Sequence, residues 1–94
     1  MTTPFLRMVD HEVRRAQAKH APINSPHEGY AVILEELDEL WDLVKQQRPD
    51  PAEMLTELIQ IAAMAARTAE DCELIAPNHD TPELVMGLMR DAQT

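Results

Sequence analysis

Apolar residues recur along this chain at steps of three and four, the spacing of helices that bury one face. Phe5, Met8, Val9, Val13 and Ala16 follow it and predict an amphipathic helix over about 3–19. The periodicity lapses across Lys19–Asn24, where Pro22 marks a loop. Ser25-Pro26-His27-Glu28 then gives three agreeing start signals: a capping hydroxyl, proline at the first helical position, and a glutamate that completes a capping box. The second helix is expected to reach about Gln47. Asp50-Pro51-Ala52-Glu53 repeats the start signal for a third, which reaches Glu73 or Leu74. Only Arg48–Asp50 links the two, and so short a connection favours antiparallel neighbours. Pro77 closes the third helix, and Thr81-Pro82-Glu83 opens a short last one that carries Leu84, Val85, Leu88 and Met89. The pattern is that of one all-α domain over 1–94, an antiparallel bundle of three main helices and a short C-terminal helix.

The second and third helices carry marked apolar surface. On the second, Tyr30, Ile33, Leu34, Leu37, Leu40, Trp41 and Val44 share one face and define an expected buried stripe. The third is apolar almost all round: from Leu58 to Ala66 the only polar side chain is Gln60. A helix of that kind is a buried one. The expectation is therefore a bundle completed by self-association, as a homodimer or homotetramer with closed symmetry. Trp41 belongs to the core or to a subunit interface, and Met54, Met64, Met86 and Met89 read as core filler.

Composition narrows the function classes. Apolar residues make up 45% of the chain, yet only Phe5, Tyr30 and Trp41 are aromatic, so the core is aliphatic and offers few platforms for stacking a base. A net charge of −9, from 17 acidic against 8 basic residues, repels phosphate backbones and anionic bilayers, which argues against nucleic-acid and membrane partners. The longest apolar run, Ile61 to Ala66, is far too short to span a bilayer, and the start lacks the basic-then-apolar layout of a signal peptide. The lone Cys72 suits a reducing compartment, and the expected location is the cytoplasm.

Against this background several carboxylates stand in the wrong place. Glu36 falls inside the apolar arc of the second helix, between Leu43 and Leu40, and Glu39 lies beside it one turn along. Glu57 begins the most apolar stretch of the third helix, with no Lys or Arg within a turn of it on that helix. A buried carboxylate without a partner costs several kcal/mol, of that order at least. Carboxylates brought together without a cation repel until one holds a proton. A divalent cation resolves both, and carboxylate and amide oxygens suit Mg²⁺ or Mn²⁺. The alternatives are plainer: a solvated face for Glu35 and Asp38, a hydroxyl partner for Glu57, and a bundle hydrogen bond for Gln60. Other site chemistries lack their residues. There is no Glu-x-x-His pair and no glycine-rich phosphate loop, His11, His20, His27 and His79 share no helical face, and no basic residue flanks Cys72.

Glu35-Glu36-Leu37-Asp38-Glu39, followed after Leu40–Thr56 by Glu57-Leu58-Ile59-Gln60, resembles the paired motifs Glu-Glu-x-x-Glu and Glu-x-x-Asp of the MazG-like all-α nucleoside triphosphate pyrophosphohydrolases. The resemblance covers residues 20–72. It implies Mg²⁺-dependent cleavage of (d)NTPs to the monophosphate and pyrophosphate. In that scheme Glu36, Glu39, Glu57 and Gln60 are the metal ligands and Glu35 takes the proton of the attacking water. Lys19, Lys45, Arg48 and Arg67 are candidates for phosphate contacts, with solvated surface the plainer alternative. Gln60 stands where the family has Asp. An amide oxygen still ligates Mg²⁺ but brings no charge. A catalytically weak or silent relative that binds nucleotides or a protein partner is therefore the rival expectation, and a purely structural helical module is the third.

Overall fold

The computed structural model describes residues 2–76, which form three helices: α1 (Pro4–Lys19), α2 (Pro26–Val44) and α3 (Pro51–Asp71). The sequence expectation of a further helix from Thr81, with Leu84, Val85, Leu88 and Met89, lies outside the described residues, as do Pro77 and His79. Each helix opens on a side-chain cap followed by proline: Thr3 accepts from the Leu6 amide, Ser25 from that of Glu28 and Asp50 from that of Ala52, at 3.2, 3.2 and 2.9 Å. These bonds satisfy amides that a helix start otherwise leaves without a partner.

Two ends fall short of the expected ones. Past Val44, the Lys45 amide bonds to the Trp41 carbonyl and the Gln46 amide to that of Leu43, a tightening final turn. Pro49 disfavours helical geometry at the residue before it, so the helix has nowhere to continue. Helix α3 stops at Asp71 through a Schellman arrangement, with Glu73 bonded to Glu70 and Leu74 to Ala69. Glu73 takes the left-handed conformation this requires, at φ 56°.

Helix α3 is the centre of the fold, with α1 and α2 each packed against it and no backbone contact between those two. Buried Gly29 near the start of α2 lies against Thr68 near the end of α3, so that pair is antiparallel as expected. Side-chain bonds join Glu12 to Gln60, and the Ala21 and Ile23 backbone to Arg67 and Asp71, so α1 and α3 run parallel. Val9 and Val13 from α1 and Ala63 and Met64 from α3 form the buried core, flanked by Phe5, Val32, Ile33, Ala62 and Ala66.

The expected buried stripe of α2 is not buried in the single chain. Ile33 and Leu40 are half-buried, but Leu34, Leu37 and Val44 are exposed, Tyr30 is 68% exposed and Trp41 60%. Leu55 and Leu58 on α3 are exposed as well, so α3 is not enclosed all round. The physical reason is the number of layers. With α1 and α2 on separate sides of α3, neither of the other two described helices covers the far face of α2.

The Gly29 contact leaves no room for a side chain. A Cβ there would fall inside van der Waals contact with the Cγ2 and Oγ1 atoms of Thr68, in a packed helix pair. Gly29→Ala is expected to destabilise the fold by about 1–3 kcal/mol despite alanine's better helix propensity. A urea melt of the variant, compared with that of Gly29→Ala combined with Thr68→Ala, checks this. If the single variant matches the parent, the close approach is not rigid.

Candidate functional site: an acidic cluster between two helices

The antiparallel pairing of α2 and α3 brings Glu36 and Glu39 across from Glu57. One carboxylate oxygen from each lies within 4.8 Å of the others, close enough for one small cation to be reached by all three. Glu36 and Glu57 are half-buried and Glu39 is exposed, so the cluster opens to solvent on one side. The Oε2 atom of Glu57 is buried and has no hydrogen-bond partner. Burial raises the pKa of Glu36 from 4.5 to about 8, helped by hydrogen-bond contact with Glu57 and by the charges of Glu39 and Glu57. Without a cation, the cluster therefore holds a proton at neutral pH.

A cleft of about 350 Å³ leads to the cluster, lined by Glu39, Asp42, Leu43, Glu53, Thr56 and Glu57. Asp42 and Glu53 were missed as site residues in the sequence, although the spacing could have found them. Asp42 lies three residues after Glu39, and Glu53 lies four before Glu57, on neighbouring helix faces. Lys45 pairs with Asp42 at 3.0 Å, which puts one of the expected phosphate-contact residues at the mouth of this cleft.

The structure does not bring the other candidates there. Glu35 is exposed and stands outside the three-oxygen cluster. Arg67 is only 5% exposed and spends its guanidinium on the Ala21 carbonyl, 3.1 Å away, and the Met64 sulfur. It sits nearly three turns beyond Glu57, about 15 Å along the helix. Its position makes it a clasp for the α1–α2 loop, assisted by Asp71, which accepts from the Ile23 amide at 2.9 Å. Lys19 ends α1 at this same far level, and Arg48 is exposed in the link before α3.

Gln60 points to α1. Its amide nitrogen donates to Glu12 Oε2 at 2.9 Å, and Arg15 holds both oxygens of the same carboxylate at 2.7 and 2.6 Å. Glu12 is a further residue missed in the sequence. It follows Met8 and Val9 by one turn on the apolar face of α1, the same kind of interruption that marks Glu57. Beside this contact a larger cleft of about 440 Å³ runs between α1 and α3, with Pro4, Met8 and Ile59 as apolar wall and His11, Glu12 and Gln60 as polar groups. Thr56 lines both clefts, so they flank α3 at one level.

No helix among the described residues is long and apolar enough to cross a membrane. Comparison with protein-family models, with curated proteins and with solved structures finds no match to this chain.

Proposed function

We propose that this chain is a divalent-cation-dependent nucleoside triphosphate pyrophosphohydrolase of the MazG-like kind, splitting (d)NTPs into monophosphate and pyrophosphate. The observation that carries the reading is the buried, unpartnered oxygen of Glu57, set in a group of three converging carboxylates. Hard oxygen donors in such a set fit Mg²⁺ or Mn²⁺. Glu36, Glu39 and Glu57 would hold the ion, while Gln60, one turn from Glu57, is turned to Glu12 on the α1 side of the helix. A bound divalent ion would supply neutralisation of charge on the triphosphate and a lowered pKa for the attacking water. Lys45 stands where a phosphate entering the acidic cleft would meet a positive charge. Glu35, next to Glu36 on α2, is the candidate acceptor for the proton of that water.

A screen of dNTPs and NTPs with Mg²⁺, followed by pyrophosphate release, tests the assignment. Release from at least one nucleotide, lost in Glu57→Ala, is the expected result. No release from any common nucleotide would defeat the enzymatic reading. In that event a silent nucleotide-binding relative is favoured by one specific observation, the commitment of Gln60 to Glu12 at the position where the family has Asp. Nucleotide binding by calorimetry without turnover would establish it.

The exposed stripe on α2 belongs to the same proposal. A second copy of the chain covers it, giving the homodimer or homotetramer that completes the bundle, in the reducing cytoplasm that suits Cys72.

A further inference from the structure

Helix α3 has three faces, and the other described helices cover two of them. Gln60, Ala63 and Arg67 meet α1 and the loop after it, through Glu12, the valine core and the Ala21 carbonyl. Glu57 and Thr68 meet α2, at Glu36 and Gly29. On the remaining side Leu55, Leu58, Ala62, Ala65 and Ala69 follow one another at steps of three and four, a continuous apolar stripe. Leu55, Leu58 and Ala65 are exposed, and Ala62 and Ala69 are half-buried. The stripe is bulky at its start and small at its end. The chain leaves α3 at that small end: the Leu74 amide is tied to the Ala69 carbonyl at 2.9 Å, and Leu74 and Ile75 are 56% and 55% exposed. Residues 77–94 follow in the sequence.

We propose that the segment from Thr81 to Asp91 lies back along this stripe as a helix, setting Leu84, Val85, Leu88 and Met89 against the alanines of α3. Thr81 and Pro82 are start signals, and the pairs Leu84–Leu88 and Val85–Met89, each one turn apart, share one arc with Glu83 and Arg90 opposite. The lengths agree. Residues 82–91 as a helix run about 15 Å, close to the roughly 16 Å from Ala69 back to Leu58, and the link 77–81 spans up to about 17 Å when extended. Bulky side chains on the segment would face alanine on α3, the large-on-small match that lets two helices interdigitate. Tethering decides between this occupant and a second copy. A short link holds the segment at an effective concentration of about millimolar, far above that of separate chains in dilute solution. The stripe of α2 stays open to a second copy, so the two associations use different faces. The segment also accounts for a third helix that is apolar on nearly every side.

Nuclear magnetic resonance on the full chain, with Cys72 kept reduced, tests this. Methyl contacts from Leu84 and Leu88 to Ala65 are expected, with slowed amide exchange over residues 84–90. Both should persist on dilution, and in a mixture of labelled and unlabelled chains the contacts should arise within one molecule. Ala65→Glu exchanges one good helix former for another, so on an open surface it would change little. Under a docked segment it should abolish the contacts, remove the exchange protection and lower the urea midpoint. Leu84→Asp combined with Leu88→Asp should give the same losses, with the three described helices retained by circular dichroism. An Ala65→Glu chain that keeps the parent's urea midpoint overturns the proposal. So does a parent chain in which residues 84–90 exchange as fast as an unstructured peptide. Contacts seen only between differently labelled chains assign the stripe to a second copy and overturn it too. If Ala65→Glu does not fold, the double aspartate variant decides, and an unchanged urea midpoint there sinks the idea.

Discussion

A chain carrying Leu37→Lys and Trp41→Lys is expected to sediment as a monomer at concentrations where the parent chain associates. Tyr30, Leu34, Leu37, Trp41 and Val44 recur at alternating steps of four and three residues, the spacing of a seam that packs against another helix. Among the described residues that seam is left uncovered, with Tyr30 68% and Trp41 60% exposed. Leu55 and Leu58 of α3 are also exposed. Leu37 on α2 and Leu58 on α3 are both exposed, on helices that pack together. Exposed apolar seams of this kind on a small chain mark contact surfaces. Truncating a central aromatic anchor costs about 2–4 kcal/mol, roughly 30- to 700-fold in the association constant, and buried lysine charge adds to it. Sedimentation velocity across a dilution series reads the change, with circular dichroism showing that the helices persist. A parent chain that remains monomeric at the highest soluble concentration would remove self-association from the account.

That exposed seam also marks where sequence reasoning stops. Periodicity located the face correctly, since the apolar residues of α2 do share a side. It could not say that α1 packs on another flank of α3, leaving this side uncovered by the other described helices. Burial depends on how many elements surround a face, and one helix's spacing does not contain that number. Helix starts were legible because Ser25 and Asp50 act through hydrogen bonds within their own first turn. The end of α2 was less so, because the Lys45–Arg48 run is helix-compatible in propensity and is stopped by Pro49 from outside. Glu57 was legible as a charge within an apolar run, and the same test applied to α1 would have found Glu12. Arg67 was not. An Arg followed four residues later by Asp reads as a surface pair, and only the folded chain brings the Ala21 carbonyl to its guanidinium.

Glu57→Gln should stabilise the cation-free protein and remove its response to divalent metal. The buried Glu57 oxygen has no partner and sits among Glu36 and Glu39, so the carboxylate is a cost to the fold when no cation is present. Replacing one member of such a set by a neutral isostere is expected to gain about 1–2 kcal/mol, roughly 4–15 °C in melting temperature for a domain of this size. The pH dependence follows from Glu36, whose pKa rises from 4.5 in the unfolded chain to about 8 in the folded one. Over that interval the native state binds the proton more tightly than the unfolded state. The parent's stability without cation is therefore greatest below about 4.5 from this group and is lost as pH climbs through about 8. Glu57→Gln removes one of the charges that raise the Glu36 pKa, so the decline should be shallower. Saturating Mn²⁺ reverses the order. At about a hundred times its dissociation constant, a ligand specific to the native state adds roughly 2.7 kcal/mol to the parent. The variant, short of one ligand oxygen, gains little. Melting curves for both proteins with chelator and with Mn²⁺ should therefore cross in rank. If Glu57→Gln is the less stable protein in both conditions, the carboxylate contributes to the fold itself, and the cluster is a structural hydrogen-bonded group rather than a cation site.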